Sequence, residues 1–498
     1  MEMTAPSTNR PAPDAGREGF LDVVRAVAVV RVVIWHAFGA AGITYVVAAV
    51  PAMFFVFASL LAKSLDRRGV RAVLLDRARR VLLPLWAFAA AAHVVMLAAA
   101  HARPGPNTRI PWSGAVLWLL PINDPKGSAW EAGWLAAPLW YLRALAWLLL
   151  AAPVLLRLVR RAPRATVALL AVAVFALDLA GRDAAWTAPH APMLLWRLGD
   201  FALYGLFVCL GFLHRDGVLG RLSASRWLGA GAMAAGAAGL WGLTQPVPDG
   251  VVNNSHPMHL FVGFAWLALA FAAQRPLARL ADARLTGPLV HAVTQRSLTI
   301  YLWHSGVIIL AYQLLWRSHL DLPPGVFSAA LLALVAAGVA AVVAAVGWIE
   351  DAAGARPARL WPRRAASKVR SPSDRRGGAR GWGLALWSGE LCAVAMTAFA
   401  VLAAGAATAT PALRTQTPPT PSRQPPPPVF AADGELALPR AADERDATIP
   451  DGATSDWIDD AGAFPWGPPI DEFGWLGPGL PAPPSPPDPP PAPAGLRG

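Results

Sequence analysis

The sequence predicts an all-α, polytopic integral membrane helical bundle, with about ten core spans, an eleventh span and a disordered Pro-rich C-terminal tail. Composition is the first reason. The chain is 55% hydrophobic and only 15% charged, with a mean hydropathy of +0.42, whereas a soluble domain carries about 25% charged residues. The second reason is a succession of apolar runs near the ~20 residues that a helix needs to cross the hydrocarbon core. The third is that basic stretches follow every second run, which places them together on the cytoplasmic side. No alternating apolar-polar pattern occurs, so the spans are helices, whose backbone groups are satisfied internally.

Taken in order, residues 1–19 are polar and predicted to be a disordered cytoplasmic N-terminus. The first span runs from Phe20 to about Gly42, and Thr44 to Ala62 returns. The next stretch, KSLDRRGVRAVLLDRARR, fixes its side as cytoplasmic. Val81 to about His101 forms the third span, and Trp112 to Leu120 is too short to cross, so it reads as re-entrant or interfacial. Further spans are predicted at Trp134–Leu156, Ala165–Ala180, Leu194–Leu213 and Trp227–Leu243. They continue at Met258–Ala273, Leu298–Trp316 and Val326–Ile349. A membrane domain over residues 20–352 is therefore expected, followed by a basic cytoplasmic linker, 353–381, with nine Lys and Arg from Arg356 to Arg380. An additional span covers 382–408.

Residues 409–498 are different material. PPTPSRQPPPPVF and GLPAPPSPPDPPPAPAG have no helical or strand period and read as an extended extracytoplasmic tail. Residues 411–498 hold 5 Arg against 12 Asp or Glu, a net −7, so the overall +12 leaves +19 on residues 1–410. That excess lies in short loops, where it sets topology and is no sign of nucleic-acid binding. Trp457, Phe464, Trp466, Phe473 and Trp475 stand among the acids. This block is either a docking motif for a surface partner or a solvated spacer. The two cysteines, Cys209 and Cys392, both in apolar runs, exclude a disulfide framework, and no metal-ligand spacing is present. The first apolar run is too long and too charged for a cleavable signal.

That first run carries Asp22, Arg25, Arg31 and His36. Ionisable groups in a span usually face a bundle interior or a watery cavity. Arg25 and His36 stand 11 residues apart, so they point within roughly 20° of each other, about 16 Å apart along the axis. One face thus carries a cation near the membrane surface and a proton-exchanging imidazole near mid-depth. Arg31 lies about 140° round from His36 and is expected to find a partner on another helix. On spacing alone, a snorkelling Arg25 and a structural His36 remain open.

Arg25-x10-His36, within L-D-x-x-R-A-x-A-x-x-x-V, resembles the membrane-bound acyltransferase-3 family, whose members modify carbohydrates, antibiotics and cell-surface polymers. The resemblance covers about residues 18–352 and implies His36 as proton acceptor, with Arg25 as the paired cation. Arg77 and Arg80 resemble the family's R-x-x-R element, which implies binding of coenzyme A phosphates through guanidinium forks. An anchor that only sets orientation is the alternative reading of those arginines. PLWYLRAL, Pro138 to Leu145, and SLTIYLWHSGV, Ser297 to Val307, are similar to two further elements. They imply substrate contacts by Trp140, Tyr141, Tyr301 and His304, with packing as the alternative. MFFVFASLL resembles a second-span pattern but has Ala58 and Ser59 where Ser-Gly is usual. NNSHP, Asn253 to Pro257, could touch a sugar or simply cap a helix. Asp200 and Glu131 are candidate partners for buried arginines. The tail contains no G-D-S-type nucleophile block.

The activity implied is transfer of an acyl group, acetyl first among candidates, from cytoplasmic acyl-CoA to a hydroxyl of a carbohydrate or glycolipid acceptor. No tightly bound cofactor is expected, and the partners are the two substrates, membrane lipids and no nucleic acid. Two rival classes stay open: a transporter or lipid translocator with buried Arg and His on an ion path, and a silent scaffold displaying the tail.

Overall fold

A computed structural model describes residues 13–361 except 103, 105–108, 111, 129, 185–190, 246 and 321. The expected eleventh span, the Pro-rich tail and most of the basic linker lie outside the described residues. Among those residues all regular structure is helical. The chain opens with α1 (Pro13–Phe38), α2 (Ile43–Val46), α3 (Ala49–Arg67) and α4 (Val70–Ala102). Short helices α5 (Ala115–Leu119) and α6 (Trp130–Ala136) precede α7 (Trp140–Arg161), α8 (Pro163–Ala184) and α9 (Ala191–Arg215). Next come α10 (Ala224–Thr244), α11 (His256–Ala272), α12 (Gln274–Asp282) and α13 (Thr286–Gln295). The last are α14 (Ser297–Arg317), α15 (Pro324–Val346) and α16 (Trp348–Ala353).

Among the described residues seven helical stretches are long and apolar enough to cross a membrane, or eight if the bent pair α11–α12 counts as one. This is a multi-pass membrane protein. Helices α1 and α10 occupy the two remaining expected spans. Asp22, Arg25 and Arg31 interrupt the apolar run of the first, and Gly and Trp dilute that of the second. The α11–α12 bend is 72°. Pro276 explains it, because a proline cannot donate to the Ala272 carbonyl and its ring crowds that turn. The basic stretch after α11, expected to be a loop, is therefore a helix that packs along α1.

Helix α1 departs from expectation at both ends. It starts at Pro13, within the stretch expected to be disordered, with proline at a favoured first position. It stops at Phe38 rather than Gly42, because Gly39 takes φ 60°, the left-handed cap that a glycine adopts without strain. His36 therefore stands in the last turn of its helix.

The basic segments gather at one end of the bundle. Arg160 at the end of α7 bridges Asp66 of α3 at 2.9 Å and Asp216 after α9 at 2.7 Å. Lys63 of α3 pairs with Glu18 of α1, and Arg79 of α4 donates to the Ala352 carbonyl of α16 at 3.1 Å. At this basic end α14 is clamped by Arg296, which donates to Asp351 and the Gly347 carbonyl, both at 2.6 Å. Glu350 accepts the Thr299 backbone N–H at 2.5 Å, satisfying a donor that every helix start leaves orphaned.

Helices α3 and α9 pack closely where Gly211 faces Phe55. A methyl group at Gly211 would lie 2.3 Å from the Phe55 carbonyl oxygen and 2.7 Å from the Ala58 side chain. The departure at Ala58-Ser59 is absorbed here: Ser59 Oγ lies 3.0 Å from His214 Nδ1 of α9. Gly211→Ala is expected to cost about 1–3 kcal/mol through overpacking, read as a lower melting temperature of the detergent-solubilised protein. An unchanged melting curve would contradict this close approach.

Candidate active site

Helices α1 and α14 run side by side in the same direction. Near the basic end, Arg25 of α1 and Thr299 of α14 both interact with Glu350. Burial pushes the Glu350 carboxyl above the usual carboxylate range, opposed by the Thr299 hydrogen bonds and by Arg296. Further along, His36 and His304 meet, and Tyr312 donates its hydroxyl to the Ala37 carbonyl at 2.8 Å. Beyond His304, α14 continues to Arg317, about 20 Å, whereas α1 ends two residues past His36. The first helix therefore ends beside the middle of α14, and its last carbonyls are served by that neighbour.

The two imidazoles form an ordered pair. His304 Nδ1 lies 2.6 Å from the Tyr301 carbonyl oxygen, and His304 Nε2 lies 3.2 Å from His36 Nδ1. His36 Nδ1 is also 2.9 Å from the Val32 carbonyl. A carbonyl only accepts, so each Nδ1 carries the proton. His304 Nε2 then accepts from His36 Nδ1, and the lone pair of His36 is left on Nε2. Among the described residues that nitrogen has no hydrogen-bond partner. The rings sit 4.7 Å apart at 66°, and Trp35 packs 4.6 Å from His36.

A chain of aromatic side chains from four helices leads away from the pair. Tyr301 is 5.7 Å from His304 and 5.0 Å from Tyr141, and its hydroxyl donates to the Pro138 carbonyl at 2.6 Å. Tyr141 packs 5.0 Å from Phe54 and 6.3 Å from Trp140. Tyr204 of α9 stacks on Phe54 at 4.8 Å and lies 5.8 Å from Trp140. The structure thus brings together Trp140, Tyr141, Tyr301, His304 and His36. Three of the chain's five tyrosines meet here, a scarcity in an Ala- and Leu-rich sequence that was the one available pointer to Tyr204. His259 carried no such signal, and Phe54 lay in the MFFVFASLL stretch without a role assigned to it.

Arg25 interacts electrostatically with Asp22, Tyr141 and Glu350, and among the described residues it makes no hydrogen bond. Arg77 lies within electrostatic reach of Arg25, Arg68 and Arg80 and donates to Ser64 Oγ at 3.3 Å. Arg80 pairs with Asp76 at 3.2 Å. A line of cations therefore leads from the basic end to Arg25 and Tyr141.

Other expected residues have structural partners. Arg143 donates to Asp124 at 2.8 Å and to Asp200 at 2.9 Å, and His256 Nε2 lies 3.2 Å from the same Asp200. Asp200 thus partners an arginine as expected, whereas the Glu131 side chain lies outside the described residues. In NNSHP, Ser255 caps α11, and Asn254 bonds Asp249 at 3.1 Å within its own loop. His256 is buried against Asp200 instead of open to a sugar. The short piece before α6 packs rather than spans: Trp118 is buried and donates to the Lys126 carbonyl at 3.2 Å. Arg31 is the exception, because no carboxylate on another helix meets it among the described residues. Candidate metal-binding groups are likewise absent among those residues.

No curated protein and no solved structure matches the chain. The family model described as an acyltransferase domain matches residues 18–347, about two thirds of the sequence. With the helical bundle and its internal imidazole pair, that match makes this chain a member of the acyltransferase-3 family of membrane acyltransferases.

Proposed function

We propose that the protein is an O-acyltransferase that moves an acyl group, acetyl in the simplest case, from acyl-CoA to a hydroxyl of a carbohydrate or glycolipid acceptor. The observation that carries this reading is the His36–His304–Tyr301 chain, which leaves His36 Nε2 as an unengaged base inside the bundle. Acyl-CoA enters at the basic end, taken as cytoplasmic, so that Arg77, Arg80 and Arg25 face its phosphates. The acceptor comes from the opposite side, where α1 ends early, and the tail projects outside the cell.

In the step itself, His36 Nε2 takes the proton of the acceptor hydroxyl as its oxygen attacks the thioester carbonyl. The tetrahedral intermediate collapses, the C–S bond breaks, and the imidazolium returns its proton to the departing thiolate. Ester and free CoA leave. His304 accepts from His36 Nδ1–H and so holds the tautomer that keeps Nε2 basic, while the Tyr301 carbonyl fixes His304 in turn. General-base catalysis contributes about 10²–10⁴-fold, and holding both substrates in one enclosed space supplies much of the remainder. Trp140, Tyr141 and Tyr301 provide the apolar walls that orient the acyl chain or sugar face.

The reading is tested with purified full-length protein, acetyl-CoA and simple sugar acceptors, by measuring acceptor-dependent CoA release. Release that never depends on an acceptor would count against it. Arg77→Gln is expected to raise KM for acetyl-CoA about tenfold with kcat little changed, as loss of a phosphate contact common to ground and transition states does. Arg25→Lys should retain more activity than Arg25→Ala, because Lys keeps the charge but not the planar fork. Identical KM values for wild type and Arg77→Gln would remove Arg77 from the donor site.

A further inference from the structure

Among the described residues three arginines are almost wholly buried, and two of them are paired. Arg143 reaches Asp124 and Asp200, and Arg296 reaches Asp351 at 2.6 Å. Arg31 is only 4% exposed, yet its Nε has no hydrogen-bond partner and no carboxylate meets it among the described residues. Its guanidinium lies over the face of Trp35, 5.7 Å from the ring centre. Such a contact offsets only part of what burying an unpaired cation costs. The balance calls for an anion.

The surroundings repeat the same deficit. Tyr204, His259 and His36 interact electrostatically with Arg31, and none of them is a carboxylate. His259 is 2% exposed and its Nδ1 is unpartnered, as is the indole Nε1 of Trp35. Asp200, bonded to the adjacent His256, is already committed to Arg143. Guanidinium, imidazole and indole groups in this region thus hold buried nitrogens that have no partner among the described residues.

We propose that Arg31, with Trp35, His259 and Tyr204, forms a subsite for the anionic group, carboxylate or phosphate, of an acidic acceptor. This rests on the O-acyltransferase reading for the identity of the ligand as acceptor, and on the residues alone for the anion. Arg31 lies five residues from His36, about 7.5 Å along α1 and on a different face. An anion held there leaves a hydroxyl elsewhere on the same sugar free to reach His36 Nε2. It also lies about 9 Å beyond Arg25 from the basic end, so the CoA phosphates have cations of their own.

The test uses full-length protein, with methyl glucoside, methyl glucuronide and methyl glucoside 6-phosphate as probes. Binding is followed by tryptophan fluorescence, and turnover by CoA release from acetyl-CoA. At least one acidic probe should bind about tenfold more tightly than methyl glucoside, and which one does so identifies carboxylate or phosphate as the source of the anion. Arg31→Gln should erase that preference, and Arg31→Lys should keep part of it. Equal binding of all three probes by the wild type overturns the subsite, whether or not the variants fold. A preference that survives in Arg31→Gln overturns it as well. Preferential binding with no CoA release from any probe supports the subsite while sinking the acyltransferase reading. CoA release that is indifferent to probe charge does the reverse.

Discussion

Replacing His36 by Ala is expected to lower acyl transfer by about 10²–10⁴-fold while changing the melting temperature little. The expectation follows from what His36 touches. Its Nδ1 bonds a carbonyl of its own helix, Val32, and the neighbouring His304, and it stands in the last turn of α1 rather than in a packed centre. Its loss frees one acceptor, His304 Nε2, at a part-buried position where water filling the vacated space can meet it, so little stability is lost. His304→Ala should behave differently. That ring is fully buried and bonded to the Tyr301 carbonyl, so its removal lowers stability and activity together. Equal amounts of monodisperse variants, assayed for CoA release and melted in parallel, separate the two. A His304→Ala protein that melts like wild type but is inactive would move His304 from a positioning role into the chemistry.

Asp200→Ala is the substitution with the largest expected effect on stability, about 3–5 kcal/mol. Asp200 is buried and accepts from Arg143 and from the His256 ring, tying α7, α9 and α11 together. Without it, Arg143 keeps only the half-exposed Asp124, with its Nη1 already unpartnered. His256 loses its partner as well. Breaking one side of a buried pair is costly because a charge is left stranded, and removing both sides costs less. Arg143→Leu combined with Asp200→Ala should therefore melt higher than Asp200→Ala alone. If the single and double variants melt together, the two groups do not act as a pair.

How much of this was legible in the sequence depends on whether a signal is local. The spacing of Arg25 and His36 on one face, and the gathering of basic loops at one end, follow from helical period and charge. Both appear in the structure, the second as the Arg160 bridges between α3, α7 and α9. Helix ends were less legible. Gly39 closes α1 four residues early through a positive φ that a run of apolar residues does not announce. The segment QRPLARLADAR reads as a basic loop by charge alone, yet its Leu and Ala positions give α12 an apolar side against α1, and Pro276 merely turns it.

Side-chain partnerships between distant helices were barely legible: Asp200 stood out as a candidate partner for a buried arginine, but nothing local said that the arginine is Arg143. The family resemblance singled out Tyr301 and His304 in α14, but nothing in either segment says that α14 lies beside α1. Arg296 and Asp351 drew no notice, although they lock the start of the helix that carries both. Arg31 shows the opposite case. A buried arginine was expected to have a protein partner, and the structure leaves it without one among the described residues, because the groups around it are aromatic or imidazole.

The central claim is that His36 Nε2 takes the acceptor's proton. Its most direct test is acceptor-dependent CoA release by His36→Ala at increasing concentrations of free imidazole, with wild type alongside. Imidazole entering the vacated space should supply the missing base, so the variant should show almost no release alone and a rising, saturable rate as imidazole is added. Release at the wild-type rate by His36→Ala without imidazole would contradict the claim.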